Sequence, residues 1–227
     1  MSAAARLADV HRQIIAACEE CGRDPGEVTL LAVSKTRPAA DVRAAMAAGQ
    51  RGFGENRVQE LLRKADELAA EDLDWHMIGS VQTNKARDLV AVPRLTLLHS
   101  LDRAKLADRL QLALEERGAE LPVLLQVNAT GEHQKHGVGV EDAGALADHV
   151  ASACPRLLLR GVMAMGPLDG DPAPVFARAA GVRQELQARL GAELPVLSLG
   201  MTDDLRVAIA AGSTMVRVGT GVFGPRA

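Results

Sequence analysis

An alternation of two kinds of segment constrains the fold of this chain more than any other feature. Short apolar segments rich in branched aliphatic side chains recur along almost the whole sequence, and longer segments rich in Ala, Leu, Arg and Glu separate them. This rhythm is typical of a parallel sheet, because parallel strands are joined by crossover helices. We predict strands at residues 30–34, 52–54, 75–78, 96–99, 123–128, 158–163, 196–199 and 215–218. We predict helices at residues 3–20, 39–48, 58–69, 84–90, 103–116, 143–153, 173–190 and 204–210.

Eight strands with intervening helices favour a closed (β/α)8 TIM barrel of the α/β class, an architecture that typically takes about 250 residues. An open, doubly wound sheet is the alternative. No linker rich in Pro or Gly, low-complexity tract or internal repeat divides the sequence. We therefore expect residues 1–227 to form a single domain with one extra helix before the first strand.

Charge, cysteine content and hydropathy narrow the class of protein. The 26 Lys and Arg residues are balanced by 29 Asp and Glu residues, so no large basic surface is expected to attract nucleic acid. The absence of tyrosine excludes mechanisms that use a tyrosine as acid or base. Three cysteines, an odd number, favour a reducing compartment, and the sequence has neither an apolar run of ~20 residues nor the pattern of a secretory signal. We expect a cytoplasmic protein that does not contact a membrane.

Lys35 is the first candidate for chemistry, because it follows the apolar segment of the first predicted strand. The active sites of TIM barrels lie at the C-terminal ends of the strands. An amine held there after apolar residues is suited to form a Schiff base with a carbonyl group. The other lysines, Lys64, Lys85, Lys105 and Lys135, fall in predicted helices or loops. The alternative interpretation is an ordinary solvated lysine at the end of a strand.

Arg217 is the second candidate and lies in the last predicted strand. If Val216 and Val218 face the helices, strand alternation points the Arg217 guanidinium into the barrel. A buried guanidinium needs a hydrogen-bond acceptor. That acceptor is either a carboxylate, such as Glu55, or an atom of a bound ligand.

Two donor-rich loops follow the last two predicted strands, where TIM barrels most often hold phosphate. The candidate donors are Ser198, Gly200, Thr202, Gly219, Thr220 and Gly221. In the first loop the alternative is structural: Thr202 is an N-cap of the following helix, with Asp203 and Asp204 complementing the helix dipole.

Two weaker patterns have plain structural interpretations. Cys18 and Cys21 have the spacing of a zinc ligand pair, but no further cluster completes four ligands, so we interpret them as the end of a helix and predict no metal. A basic loop after the fifth strand carries His133, Lys135 and His136 just before a glycine. This loop is either a lid over the site or solvated surface.

Several separated motifs, read together, resemble those of the pyridoxal phosphate homeostasis proteins, whose fold is similar to the N-terminal barrel of alanine racemase. The motifs are Leu-Ala-Val-Ser-Lys-Thr at 31–36, Phe-Gly-Glu-Asn at 53–56, His-Met-Ile-Gly at 76–79, Gln-Thr-Asn-Lys at 82–85, Leu-Ser-Leu-Gly-Met-Thr-Asp-Asp at 197–204 and Val-Arg-Val-Gly-Thr at 216–220. They cover essentially the whole chain in order. One departure is Arg57, since family members commonly carry a tyrosine after Gly-Glu-Asn.

The resemblance implies a binding site for pyridoxal 5′-phosphate. In that site Lys35 forms a Schiff base with the cofactor and Arg217 faces the pyridine nitrogen. The phosphate is held by Ser198, Gly200, Met201, Thr202, Gly219 and Thr220. The pocket is lined by Asn56 and by the strand that contains His76 and Ile78.

The resemblance further implies a protein that holds and hands over pyridoxal phosphate, and so maintains vitamin B6 and amino-acid balance, without turning over a substrate itself. Its partners are then the cofactor and, as recipients of it, pyridoxal phosphate-dependent apoenzymes, and we expect a monomer. The first alternative is a pyridoxal phosphate-dependent enzyme such as an amino-acid racemase. The second is a barrel aldolase or hydrolase in which Lys35 captures the carbonyl group of a sugar phosphate.

Overall fold

The structure, a computed structural model, describes residues 1–132 and 136–225. His133 and Lys135 of the basic loop lie outside these ranges. The strands are β1 (Thr29–Val33), β2 (Gly52–Glu55), β3 (Asp74–Met77), β4 (Leu95–Leu101), β5 (Leu121–Asn128), β6 (Val138–Gly139), β7 (Leu157–Met163), β8 (Val196–Ser198) and β9 (Met215–Val218). The α-helices are α1 (Ala3–Glu20), α2 (Ala39–Ala47), α3 (Val58–Glu67), α4 (Ala86–Val90), α5 (Ala104–Arg117), α6 (Ala143–Ala153), α7 (Ala173–Leu190), α8 (Leu205–Ala210) and α9 (Thr220–Phe223).

The strands close into a parallel barrel. Their order is β4-β3-β2-β1-β9-β8-β7-β5, and a further pairing of β4 with β5 joins the two ends. All of these pairings are parallel, and the two-residue strand β6 adds only to the edge of β5. The predicted (β/α)8 barrel is confirmed, and the open-sheet alternative is wrong.

Two apolar layers hold the barrel together. The larger layer lies between the strands and the surrounding helices, where Phe53 and Trp75 pack with ring centroids 6.0 Å apart. The smaller layer fills the barrel interior and consists of Leu31, Leu97, Leu124, Met163 and Met215. Because side chains alternate along a strand, the residues two positions further along point to the same interior, near the C-terminal ends of the strands.

The extra N-terminal helix α1 begins and ends where the sequence predicts. The Ser2 hydroxyl caps it by accepting a hydrogen bond from the Ala5 N–H at 3.2 Å, and Cys21 is its C-cap residue. Its buried face contacts α8 and α9, which flank the end of β9. The interpretation of Cys18 and Cys21 as a helix end is therefore confirmed, and both thiols are free.

Among the described residues, none of the helices combines the length and apolar character required to cross a bilayer.

Candidate functional site

A cavity of about 360 Å³ opens at the C-terminal ends of the barrel strands. Eight of the residues predicted from the sequence line it: Lys35, Asn56, Ile78, Met201, Thr202, Arg217, Gly219 and Thr220. These residues follow β1, β2, β3, β8 and β9, except Arg217, which lies within β9, so the cavity is at the end of the barrel where TIM barrels hold their active sites. Residues that sequence reasoning missed also line it: Val33, Arg37, Met163, Met165 and Asp203.

Lys35 is half-buried two residues beyond β1 and lines the cavity. The backbone of Ser34 is fixed to the barrel, because its N–H donates to the Gly54 carbonyl at 3.0 Å. Thr36, on the other side of Lys35, has a φ of 65°, which lies in the left-handed region that a β-branched residue rarely adopts. The amine therefore projects from a short segment whose backbone path is held in an uncommon conformation.

Arg217 points into the barrel, as the strand alternation predicts, with only 5% of its surface exposed. Its Nη1 donates to the carbonyl and the hydroxyl oxygen of Ser198, at 2.7 and 2.8 Å, and its Nη2 donates to the Ala164 carbonyl at 3.0 Å. The expectation that Glu55 is the acceptor is wrong, because the Glu55 carboxylate binds Lys64 and Ser34 instead. Burial lowers the pKa of Arg217 to about 10, partly offset by Asp204, so the guanidinium stays charged at neutral pH.

A chain of polar side chains crosses the barrel interior beneath the cavity. The Ser198 hydroxyl lies 3.1 Å from Nδ1 of His99, and Nε2 of His99 lies 2.9 Å from Nδ1 of His76. Because Arg217 is only a donor, the Ser198 oxygen accepts from it and its proton is available for His99. In this arrangement the Ser198 hydroxyl donates to Nδ1 of His99, and the Nε2–H of His99 donates to Nδ1 of His76. Both neutral rings then carry their proton on Nε2.

Burial keeps both histidines neutral. It lowers the pKa of His76 to about 4. The pKa of His99 is lowered well below its usual range by burial, and the neighbouring His76 and Arg217 lower it further. The proton arrangement deduced from Arg217 agrees with this, since each ring then carries a single proton.

Four of the predicted site residues, His76, Ser198, Gly200 and Gly221, do not line the cavity. His76 and Ser198 are buried below it, within the polar chain attached to Arg217. Gly200 has a φ of +82°, and a Cβ on it would lie 2.5 Å from the Cβ of Ala208. Its carbonyl accepts from the Arg217 N–H at 3.0 Å, so this glycine allows β9 and α8 to pack closely.

The loop before α8 differs from the predicted cap. The helix begins at Leu205, and Asp204 rather than Thr202 is its N-cap residue, with no hydrogen bond from its side chain to the helix. The Asp204 carboxylate instead accepts from the Met201 N–H at 2.5 Å and tightens the turn ahead of the helix. The structural alternative for Thr202 is therefore wrong, and its side chain borders the cavity.

Elements too short to show a period escaped prediction. Gly219 is the N-cap of the four-residue helix α9, and Thr220 is its first residue. A Cβ on Gly219 would lie 3.4 Å from the Val33 carbonyl oxygen, so a small residue suits this contact between β9 and β1. Arg57, the departure noted above, is exposed and is the N-cap residue of α3.

A possible metal-binding group lies elsewhere. Among the described residues, ligand atoms of Asp108, His149 and Cys154 lie within 4.8 Å of one another between α5 and α6. His149 Nε2 is already 2.6 Å from the Asp108 carboxylate. Burial and Asp108 raise the pKa of Cys154 to about 11, which favours the thiol over the thiolate that metals bind.

Comparison with known proteins identifies the family. The family model for the alanine racemase N-terminal domain matches residues 13–227. A curated protein from Pseudomonas aeruginosa, named pyridoxal phosphate homeostasis protein, is 48% identical over 226 residues, which is 98% of this chain and 95% of the relative. The chain belongs to the pyridoxal phosphate homeostasis protein family.

Solved structures of other proteins share the barrel fold of this chain. PipY of Synechococcus elongatus, solved with pyridoxal phosphate bound, is 37% identical, with a TM-score of 0.85 over 98% of this chain and all of PipY. Alanine racemase of Corynebacterium glutamicum shares the fold, with 16% identity and a TM-score of 0.68. The match covers 96% of this chain but 61% of that enzyme, so the shared fold takes up only part of the enzyme.

Proposed function

We propose that the protein binds pyridoxal 5′-phosphate in the cavity at the end of the barrel and serves intracellular homeostasis of this cofactor. The observation that carries the proposal is the pairing of Lys35 and Arg217 around one cavity at the mouth of the barrel. The bound cofactor in PipY and the name of the Pseudomonas relative support it. Bound pyridoxal phosphate supplies a reactive aldehyde and an electron-withdrawing ring.

Lys35 is the residue proposed to hold the cofactor covalently. Its amine nitrogen bonds to the aldehyde carbon and the carbonyl oxygen leaves as water, which gives a reversible Schiff base. The other described lysines are less suited. Lys64 is fully buried and bound to carboxylates, Lys85 pairs with Asp88 at 2.9 Å, and neither lines the cavity.

Arg217 and the loops around it complete the proposed site. Ser198 and the Ala164 carbonyl fix the guanidinium, so it meets the ligand in one orientation. The phosphate is proposed to lie against the turn of Gly200, Met201 and Thr202 together with Gly219 and Thr220. Asn56 and Ile78 line the same cavity, while Ser198 binds Arg217 directly and His76 is joined to Ser198 through His99.

We further propose that the protein stores and releases the cofactor, in support of amino-acid balance, rather than turning over a substrate. A charged arginine facing the pyridine nitrogen leaves that nitrogen unprotonated, which weakens the ring as an electron sink. The chain also has no tyrosine to act as a second base. The alternative is an enzyme such as an amino-acid racemase. Interconversion of alanine or serine enantiomers by the purified protein, lost in Lys35→Ala, would establish that alternative instead.

The first experiment is the visible absorption spectrum of the purified protein with added pyridoxal phosphate, followed by borohydride reduction and peptide mass mapping. We expect a yellow Schiff-base band and a label on Lys35, both lost in Lys35→Ala. The matched control is Lys105→Ala, which removes an exposed lysine outside the cavity and should leave both unchanged. The absence of a band, or a label spread over the other lysines, would contradict the proposed site and favour capture of a different carbonyl ligand.

The proposal extends to partners and location. Recipients are expected among pyridoxal phosphate-dependent apoenzymes, which can be tested by mixing the loaded protein with an apoenzyme and following the recovery of its activity. A monomer in the cytoplasm is the proposed state. Sedimentation of the purified protein and cell fractionation test these two points.

A further inference from the structure

A buried cluster of charged groups lies directly behind Lys35, between β1, β2 and α3. The Lys64 cluster consists of Ser34, Glu55, Glu60 and Lys64. The Lys64 amine donates to the Glu55 carboxylate at 2.6 Å, to the Glu60 carboxylate at 2.8 Å and to the Ser34 carbonyl at 2.7 Å. The side chains of Lys64 and Glu55 are 0% exposed. None of these four residues lines the cavity.

The cluster forms hydrogen bonds with the residues on both sides of Lys35. On one side, the Ser34 carbonyl accepts from Lys64 and the Ser34 hydroxyl donates to Glu55 at 2.6 Å. On the other side, the Thr36 N–H donates to the Glu60 carboxylate at 2.7 Å. Oε1 of Glu60 therefore joins the Thr36 backbone to Lys64, so both neighbours of Lys35 are tied to one buried amine.

The conformation of Thr36 requires such a restraint. A φ of 65° is costly for a β-branched residue and persists only where the surroundings impose it. Two contacts hold it there: the turn hydrogen bond from the Arg37 N–H to the Ser34 carbonyl at 3.0 Å and the charge-assisted hydrogen bond from the Thr36 N–H to Glu60. If the bond to Glu60 is lost, only the turn hydrogen bond still holds Thr36 at positive φ, so conformations with negative φ gain population and the direction in which the Lys35 side chain leaves the backbone changes with them.

Stability alone does not account for the cluster. Burying an amine and two carboxylates carries a large desolvation cost, and replacing such a group by apolar side chains of similar size is often neutral or stabilising. Oε2 of Glu55 has no hydrogen-bond partner, which adds to this cost. A buried ionic group that does not improve stability is explained when it specifies one conformation of the chain.

We propose that Lys64, Glu55 and Glu60 are positioning residues that fix the backbone around Lys35, so that its amine meets an aldehyde in the cavity. This inference rests on the proposed function of Lys35. It predicts that the cluster matters for a ligand that reacts with Lys35, and much less for a ligand of the same shape that does not react.

The test compares two ligands, pyridoxal 5′-phosphate and pyridoxine 5′-phosphate, in which an alcohol replaces the aldehyde. The main variant is Glu60→Ala, because Glu60 is partly exposed and its loss leaves Lys64 paired with Glu55. We expect this variant to bind pyridoxal phosphate about tenfold more weakly, equivalent to ~1.4 kcal/mol. Its affinity for pyridoxine phosphate should stay within about twofold of wild type, which is a readout that general destabilisation would not give.

Two rescues and one control sharpen the result. Glu60→Gln keeps an oxygen that accepts from the Thr36 N–H and should retain most of the affinity. Adding Thr36→Gly to Glu60→Ala should restore part of the affinity, because glycine populates positive φ about as readily as negative φ. The control Glu67→Ala removes a carboxylate on the same helix that pairs with Arg43 and Arg63 at the surface, and should change neither affinity.

Equal weakening of both ligands in Glu60→Ala would overturn the positioning role and leave a structural one. Unchanged affinity for pyridoxal phosphate would also overturn it. Failure of the proposed function has a different signature, since the wild type itself would then bind both ligands equally and give no borohydride-stable adduct on Lys35. That result would overturn both proposals.

Discussion

Lowering the pH from 8 to 5 is expected to destabilise the apoprotein through the two histidines buried in the barrel. His76 and His99 stay neutral in the folded protein, because burial lowers the pKa of His76 to about 4 and that of His99 well below its usual range. In the unfolded chain both rings are solvated and take up a proton near the ordinary value of 6.5. Acid therefore stabilises the unfolded state by protonating both rings, and it does not stabilise the folded state in the same way because the buried rings stay neutral.

The sign and size of the effect follow from proton linkage. A base whose pKa is lowered by folding contributes stability above its unfolded pKa and loses it as the pH falls toward the folded value. For His76 this window runs from 6.5 down to about 4. Between pH 8 and pH 5, each ring that stays neutral in the folded protein lowers the free energy of unfolding by about 2 kcal/mol, so the pair lowers it by about 4 kcal/mol.

The assay is urea unfolding at pH 8 and pH 5 for the wild type, His76→Gln and His11→Gln. Gln at position 76 removes one titrating ring and keeps an oxygen that accepts from His99. We expect the loss of unfolding free energy between the two pH values to shrink by about 2 kcal/mol in His76→Gln, or ~4–8 °C in Tm. His11 lies exposed on α1, so His11→Gln serves as the control for removing a histidine.

The comparison of variants isolates this contribution from other groups. Burial raises the pKa of Glu55 despite Lys64 and Ser34, so the folded state holds that proton more tightly and acid has the opposite effect there. This contribution is the same in all three proteins and cancels. If His76→Gln loses as much stability between pH 8 and pH 5 as His11→Gln does, the buried neutral pair is not the source of the pH dependence and the reasoning is refuted.

Three further predictions concern close packing and thiol reactivity. A Cβ on Gly161, which has a φ of +154°, would lie 1.7 Å from the Val196 carbonyl oxygen, so Gly161→Ala should lower the free energy of unfolding by about 3 kcal/mol or more in urea titrations. A Cβ on Gly79 would lie 2.1 Å from the carbonyl oxygen of Asn56 at the cavity, so Gly79→Ala should weaken pyridoxal phosphate binding, measured by titration, while circular dichroism stays near that of wild type. With a thiol reagent we expect the exposed Cys21 to react quickly and the buried Cys18 and Cys154 to react only on unfolding. Burial also raises the pKa of Cys154 to about 11, which adds to its protection. Rapid reaction of all three thiols would contradict this expectation.

The architecture could be predicted because periodicity and turn signals agree over most of the chain. The helices at Ala143–Ala153 and Ala173–Leu190 and the strand Met215–Val218 have the predicted bounds, since apolar positions recur with one clear period in each. Other boundaries differ by one or two residues, as at α3, which ends at Glu67. The strand β6 and the helix α9 have two and four residues, too few to produce a periodic signal.

The parts of the site that escaped prediction depend on contacts between distant segments. His99 shares an alternating face with Leu97, but nothing in β4 indicates that it meets His76 and Ser198. The sequence analysis places Lys64 in a predicted helix and assigns it no role. A signal was present, because the buried face of α3 includes Val58 and Leu61 and continues through Lys64 at helical spacing. A charge on such a face indicates a buried partner.

The chain of hydrogen bonds below the cavity bears on the choice between holding a cofactor and acting on a substrate. Arg217 can only donate, so it occupies an acceptor site of Ser198 and leaves the Ser198 proton available to the chain that runs through His99 to His76. Both rings are neutral at physiological pH and far from the pKa that general acid–base catalysis requires. The described floor of the cavity thus supplies one permanent positive charge and no group ready to exchange a proton. Such a floor is suited to binding an anionic ligand in one orientation.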